Sequence, residues 1–318
     1  MRHTIFTPTF NRITTLPRLY ESIKAQTYKN FSWLIIDDGS TDNTQELVQK
    51  WIEENVISIQ YIYKENGGKH TALQLALECI ESKYIEMIDS DDMFTSTAME
   101  TFEMAWKNIE MKGLEDQIAQ VKMFSMYESG QLVGYGDFLL PQQIDHLDGT
   151  WHELVLKHNC HRELVDSTNV SKLKQCINIS KYNWKQEYLR FISEFILWSA
   201  IGRTYKTRII NNIGRIYYMD GSNSILRGRK ETRHYINDMV NNMYFVDENI
   251  DYFFYNPLYF IKFIIKYIIA GFIVKESIHS QWKIIRSKKF KVLYIISFFP
   301  ACMFYFKMKY CDHQFYLG

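Results

Sequence analysis

The chain has 318 residues, 47% of them hydrophobic and 23% charged, so it is long enough for about two domains and too apolar to be disordered. Lys and Arg number 37 against 36 Asp and Glu, and this balance excludes a global field that would gather nucleic acid. The five cysteines (Cys79, Cys160, Cys176, Cys302 and Cys311) form no C-x-x-C pair and follow no secretory signal, so the expectation is a reduced, cytoplasmic chain.

Thr4 to Thr7 is a short β-rich run, and 15–26 has helical spacing through Leu16, Leu19 and Ile23. Phe31 to Ile36 predicts a second strand that ends in Asp37-Asp38-Gly39-Ser40. Asp42 is placed to cap a second helix carrying Leu47, Val48, Trp51 and Ile52. Ile57 to Tyr63 predicts a third strand, followed by Asn66-Gly67-Gly68 and a helix with Leu73, Leu77 and Ile80 on one face. A fourth strand, Tyr84 to Ile88, stops at Asp89-Ser90-Asp91-Asp92. Strands and helices alternating at this period predict βαβ units and a mostly parallel sheet. Ligands of such sheets bind beyond the carboxyl ends of the strands, where each of these polar clusters falls.

The middle of the chain is less regular. Val121 to Tyr127 and Gln131 to Phe138 predict an antiparallel pair around Ser129-Gly130, and Phe191 to Arg203 an amphipathic helix. Tyr205 to Tyr218 reads as two strands split at Asn211-Asn212. From His234 onward the pattern is helical. Leu258 to Val274 is very apolar but interrupted by Lys262 and Lys266, and Val292 to Phe306 is broken by Pro300, so neither makes a clean span of ~20 residues. Lys283, Arg286, Lys288, Lys289 and Lys291 lie between them, with no acid from Ser277 to Lys291. Apolar aromatic helices with basic residues between them suit an anionic membrane interface, or else a core packed on the preceding domain.

Two carboxylates one residue apart on a tight loop, as in Asp89-Ser90-Asp91, can reach a hard divalent cation from one side and leave its other positions to water and phosphate. The same residues would also suit the start of a helix over Phe94 to Met104. A carboxylate in Asp37-Asp38-Gly39-Ser40 can accept from a uracil imide or a ribose hydroxyl, or serve only a capping turn. Gly67 and Gly68 permit close backbone approach at a helix start, and Lys69 adds charge there. The Walker spacing is absent, and Pro8-Thr9-Phe10-Asn11-Arg12 stands where a dinucleotide-binding G-x-G-x-x-G would follow the first strand. His152, His158, Cys160 and His161 form a superficially metal-like cluster, but with no second paired motif they read as structural.

These four clusters, in this order and spacing, resemble a family 2 glycosyltransferase of the GT-A fold. The match is strong over the first hundred residues and weaker to about residue 225. The resemblance implies an α/β fold with a mostly parallel central sheet flanked by helices and a C-terminal helical extension. Residues 1–112 would be the nucleotide-sugar-binding half, 113–233 the acceptor half of the same domain, and 234–318 a helical, membrane-associated tail. Pro8, Thr9, Asn11 and Arg12 would line or support the nucleoside pocket, and Asp38 would read the base. Gly68, Lys69, Asp89 and Ser90 would contact the donor. Asp89 and Asp91 would hold Mn²⁺ or Mg²⁺. Glu194, four residues before Trp198, falls where inverting members place their general base, although it is Glu instead of Asp and Ser193 replaces the preceding acid; Glu187 is the fallback. Arg227, Arg229, Lys230 and Arg233 would close over a diphosphate or face solvent.

The implied activity is inverting transfer of a sugar from a nucleotide-diphosphate donor, UDP by expectation, to a glycan acceptor. The string from Gly67 to Leu73 resembles a subgroup of bacterial surface-polysaccharide transferases, which implies a lipid-linked acceptor and a peripheral place on the inner face of the cell membrane. Two other readings remain. One is a non-catalytic sugar-nucleotide-binding scaffold of a polysaccharide assembly, and the other is a sugar nucleotidyltransferase, whose glycine-rich, Arg-containing loop after the first strand is missing here.

Overall fold

The alternating periods of the first hundred residues become alternating strands and helices in the computed structural model, which describes residues 1–177, 193–219 and 232–310. In chain order these are β1 (His3–Thr9), α1 (Leu16–Lys24), β2 (Phe31–Asp37), α2 (Thr44–Glu54), β3 (Ile59–Tyr63), α3 (Lys69–Cys79) and β4 (Tyr84–Met87). β1 lies between β2 and β4, parallel to both, and β2 is parallel to β3. Their inward residues are apolar because both faces of a parallel sheet are covered. Under β2 the rings of Tyr20 and Trp51 stack at 4.3 Å, with Trp33 6.0 Å from Trp51, so α1 and α2 are locked to one strand.

The next elements are β5 (Met93–Phe94), α4 (Ala98–Met111), β6 (Ile118–Tyr127), β7 (Gly134–Tyr135), β8 (His146–Gly149), β9 (His161–Arg162), β10 (Leu164–Asn169), α5 (Val170–Cys176), α6 (Glu194–Gly202) and β11 (Lys206–Tyr217). Among the described residues they extend the sheet in the order β3-β2-β1-β4-β10-β6-β11-β5, with β8 on β11. β10 is antiparallel to both β4 and β6, so β6 and β11 again point the same way as β1. All their carboxyl ends therefore share one edge.

Three sequence expectations change. The return strand at Gln131 to Phe138 shrinks to a bridge between Met126 and Leu132 and to β7, which pairs with β9 instead. β11 runs unbroken through Asn211 and Asn212; shifts of register between Ile210 and Ile213 absorb the extra residues as a bulge. α4 begins at Ala98 and not at Phe94, because Met93 and Phe94 pair with Ile216 and Arg215.

Two compact units divide the chain: Met1–Trp184 with Ala200–Ser224, and Lys185–Ser199 with Ile225–Gly318. The second contains α7 (Thr232–Asn249), α8 (Pro257–Ile273), α9 (Ile278–Ile284) and α10 (Lys288–Tyr310), the last continuing through Pro300 instead of breaking there. Its core is aromatic: Phe245 packs on Phe260 and Phe263 at 5.6 and 4.6 Å.

At the amino end of β1 the first unit buries a charge network. His3 Nδ1 lies 2.6 Å from Glu86 and Nε2 3.0 Å from Glu103, while Arg2 donates to Glu103 and Glu110 at 2.8 and 2.6 Å. Burial alone would lower the His3 pKa, but Glu86 and Glu103 outweigh it and raise it. Burial likewise opposes ionisation of Glu110, and Lys83, Arg2 and Tyr84 overcome it and hold it at about 2. The His3 contribution to stability is thus complete below its ordinary value and fades as pH rises through the raised one. That of Glu110 is complete above the ordinary carboxylate range and is lost as pH falls toward 2. His3→Ala leaves the fully buried Glu86 without its cation and is expected to cost about 3–5 kcal/mol in urea unfolding. Lowering the pH from about 6 to about 3 should reduce the urea midpoint, and reduce it less in Glu110→Gln.

Candidate active site

The carboxyl edge of the sheet brings together β1, β2, β3 and β4 ends, and with them every donor-side residue singled out from the sequence. The chain leaves β1 at Thr9, whose carbonyl accepts the Asp38 amide at 2.8 Å. The buried Thr9 hydroxyl has no hydrogen-bond partner, an orphan at the strand end. Pro8 lies opposite Ile36 in the parallel register. Asn11 takes a positive φ of 52°, which asparagine tolerates better than most residues. Its Oδ1 accepts from the Thr41 and Asp42 amides at 2.8 and 3.3 Å, and its own amide donates to Ser40 Oγ at 2.8 Å. Asn11 is therefore a clamp that fixes the turn after β2.

That turn separates the two acids by role. Asp37 is fully buried and accepts from the Ser40 amide and the Tyr61 hydroxyl, both at 2.7 Å. Asp38 accepts from Lys64 Nζ at 2.5 Å, from the Gly67 amide at 2.9 Å and from the Gly68 amide at 2.7 Å. Three of the roughly four acceptor sites of a carboxylate are thereby filled, and the Gly67 and Gly68 amides are committed to Asp38. Gly39 makes this approach possible. Its φ is 87°, and a Cβ there would stand 2.9 Å from the Asn66 amide nitrogen. Gly68, with φ 95°, then starts α3 and delivers Lys69.

Beyond β4, Asp89 and Asp91 each face a cation from a different strand end. Lys69 Nζ is 2.5 Å from Asp89 Oδ1, and Arg12 Nη2 is 3.5 Å from Asp91 Oδ2. Ser90 between them is buried. Because α4 starts only at Ala98, these acids belong to the strand-end turn and not to a helix cap. Burial pushes the Asp89 carboxyl up, but Lys69, Arg215 and Arg12 outweigh it and hold it below the ordinary range. Burial and the charge of Asp89 raise Asp91, against Arg12. Asp92 is pushed up to about 7 by burial and by both neighbouring acids, with Arg215 opposing.

A pair of partly exposed carboxylates that repel one another fits a hard divalent cation. Among the described residues no group of three His, Cys, Asp or Glu side chains could hold a metal ion, so a cation at Asp89 and Asp91 would have to complete its shell with phosphate and water. The four-residue cluster of His152, His158, Cys160 and His161 is no exception. His161 stacks on Tyr135 at 4.6 Å, and burial raises the Cys160 thiol to about 11.

Several functional neighbours carried no local signal. Arg215 in β11 lies 3.3 Å from Asp92 and 2.9 Å from Ser125 Oγ, anchoring the acid turn to the other half of the sheet. Arg18 donates to the Asp91 carbonyl and stacks over the Tyr218 ring at 3.5 Å. Lys64 stands at the end of β3, a strand-end position that could have flagged it. Glu194 opens α6 in the second unit, and the adjacent Ser193 amide donates to Asn241 Oδ1 at 3.0 Å. Trp198 lies one helical turn further on. Glu187, Arg227, Arg229, Lys230 and the Arg233 side chain lie outside the described residues.

The model of the family described as Glycosyl transferase family 2 matches residues 4–112. Glycosyltransferase GlyA of Streptococcus pneumoniae is 34% identical over 210 residues, which cover 66% of this chain and 25% of that protein. An uncharacterized glycosyltransferase of Rickettsia felis is 40% identical over 96 residues, 30% of this chain and 16% of that protein. The chain thus spans a quarter or less of the length of these curated relatives. The S. aureus TarS 1-349 structure in complex with UDP-GlcNAc superimposes with a TM-score of 0.60 at 15% identity, over 99% of this chain and 93% of that one. At that identity the likeness concerns the fold, which is GT-A.

Asp38→Ala removes the acceptor of two backbone amides and a lysine, and is expected to lower the unfolding free energy by about 1–3 kcal/mol in urea denaturation. Arg215→Met leaves Asp92, 1% exposed, beside two other acids, and should cost about 3–5 kcal/mol in the same measurement. An unchanged midpoint in either variant would contradict the contact it removes.

Proposed function

Through residues 4–112 the chain belongs to glycosyl transferase family 2, and from that premise we propose that it transfers a sugar from a UDP-sugar to a glycan acceptor with inversion. The observation that carries this reading is the meeting of two carboxylates, Asp89 and Asp91, with Lys69 and Arg12 beside the Thr9 and Asp38 strand ends. A nucleoside diphosphate needs both kinds of charge there. The cations would answer its phosphates, and the acids would hold a divalent metal. Mn²⁺ or Mg²⁺ held by Asp89 and Asp91 would supply Lewis-acid charge to the departing diphosphate.

In the transfer, an acceptor hydroxyl oxygen bonds to the anomeric carbon while the bond from that carbon to the β-phosphate oxygen breaks. UDP leaves with the electron pair. The hydroxyl proton goes to a carboxylate, for which the motif match nominates Glu194, a contribution of typically ~10²–10⁴-fold. Lys69 and Arg12 stabilise the charge that grows on the diphosphate, and Asp38 and Thr9 orient the nucleoside. TarS 1-349 is a fold neighbour solved with UDP-GlcNAc, which supports a UDP-sugar as donor. The acceptor is proposed to be a lipid-linked glycan of a bacterial surface polysaccharide, met at the inner face of the cell membrane.

Measuring UDP release over a small panel of nucleotide sugars tests the reading. Release that requires an acceptor and a divalent ion is expected; pyrophosphate release would mean a nucleotidyltransferase, and donor binding without turnover a scaffold. Asp91→Ala should abolish metal-dependent UDP binding in calorimetry. Glu194→Gln should lower turnover by about 10²-fold or more with donor binding preserved, and full activity in that variant would remove Glu194 from the mechanism.

A further inference from the structure

α10 has two opposed faces. At about 100° per residue, Phe290, Tyr294, Ser297 and Ala301 share one side, and all four are buried. This side packs on α8, where the Tyr267 ring lies 5.8 Å from Phe290 and 6.1 Å from Tyr294. About 180° around the helix stand Val292, Ile295, Ile296, Phe299, Met303 and Phe306, each between 56% and 72% exposed. Their spacing makes one continuous apolar strip along the outside of the helix, of a kind that water disfavours and monomer surfaces seldom carry.

The charges carried by α10 itself all have one sign. α10 contains no acid, and its five lysines cluster at its two ends. Lys288 continues the strip at the amino end. Lys291 and Lys309 project about 90° to one side of it and Lys289 and Lys307 about 90° to the other. Lysine stems can run along apolar surface while their ammonium groups reach a polar boundary. Lys283 and Arg286 add two exposed cations just before the helix. Lys289 has an exposed partner in Asp251, 2.6 Å away, with which a lipid phosphate would compete.

We propose that this strip docks flat on the surface of a bilayer containing anionic phospholipid, apolar side chains in the acyl boundary and lysines at the headgroups, without crossing it. The inference gives a face to the membrane-surface part of the proposed function and is independent of the reaction. By length and composition Lys288–Lys309 could cross a membrane, but one side of α10, formed by Phe290, Tyr294, Ser297 and Ala301, is buried against its own unit, which favours lying flat over crossing. A second copy of the chain is a poor occupant. Laid strip to strip in either direction, two α10 helices bring the lysines at their ends against one another, and neither helix contains an acid.

Flotation of the full chain with vesicles tests this. Binding is expected to phosphatidylcholine vesicles containing phosphatidylglycerol, to weaken with salt, and to be far lower on phosphatidylcholine alone. The triple variant Ile295→Ser, Ile296→Ser, Phe299→Ser should bind about tenfold or more weakly, with an unchanged circular dichroism spectrum because those side chains are exposed in the fold. Equal binding by the variant, or none by the wild type, overturns the proposal. So does resistance to alkaline carbonate extraction, which would indicate a spanning helix, or a solution dimer that the same variant dissolves. UDP release with a soluble acceptor in lipid-free solution reads the transfer reaction without vesicles, so failure of the transferase reading and failure of the docking face are distinguished.

Discussion

Two carboxylates held side by side at a sheet edge need countercharge, and the first unit is organised around supplying it. Asp89 and Asp91 leave the same strand, yet their cations come from elsewhere, Lys69 from the start of α3 and Arg12 from the loop after β1. Both deliveries pass through the turn after β2. Asp38 accepts the Gly67 and Gly68 amides and so fixes where α3 begins. Asn11 accepts the Thr41 and Asp42 amides and so fixes the loop that carries Arg12. The turn after β2 thereby positions both basic side chains. Preorganised charge of this kind costs no rearrangement when a charged ligand arrives.

The acid turn has a second anchor on its far side. After Asp92 the chain enters β5, which pairs with β11 beyond the antiparallel β10 and its neighbour β6. This crossing sets Asp92 against Arg215, and Arg215 is itself held by Ser125 of β6. The turn is therefore suspended between the two halves of one sheet. Asp92 carries the cost of that position, since it is buried beside two other acids and its carboxyl is pushed up to about 7. Arg215 makes the burial tolerable.

The donor half of this edge was legible in the sequence because each of its parts is local. A strand announces itself by apolar residues, its end by Asp, Asn or Gly, and the following helix by its period, all within about thirty residues. Read separately, the motifs also pointed to the one sheet edge at which the structure gathers them. The partition of labour between Asp37 and Asp38, however, depends on Tyr61, Lys64 and the Gly67–Gly68 amides, which no spacing rule connects to them. Arg215 was invisible for the same reason: its partner Asp92 is remote in sequence and near only through strand pairing. β11 was misread at Asn211-Asn212 because two polar residues resemble a turn, whereas a bulge against β6 keeps the strand going.

The apolar tail illustrates a different limit. α8 and α10 look alike in composition, and α8 is the more apolar of the two, so hydropathy favours α8 as the element that meets lipid. Packing reverses the assignment. Phe260, Ile264, Tyr267, Ile268 and Ile269 of α8 are buried, and Gly271 is small enough to let the Gln281 side chain close against the helix. Pro257 and the Asn256 side chain, which accepts the Tyr259 amide at 3.1 Å, give α8 a defined start within that core. α10 uses only one side against α8 and leaves an equally apolar side outward. Hydrophobicity summed along a helix cannot distinguish a residue that has found its partner from one that has not; the angular distribution around the axis can.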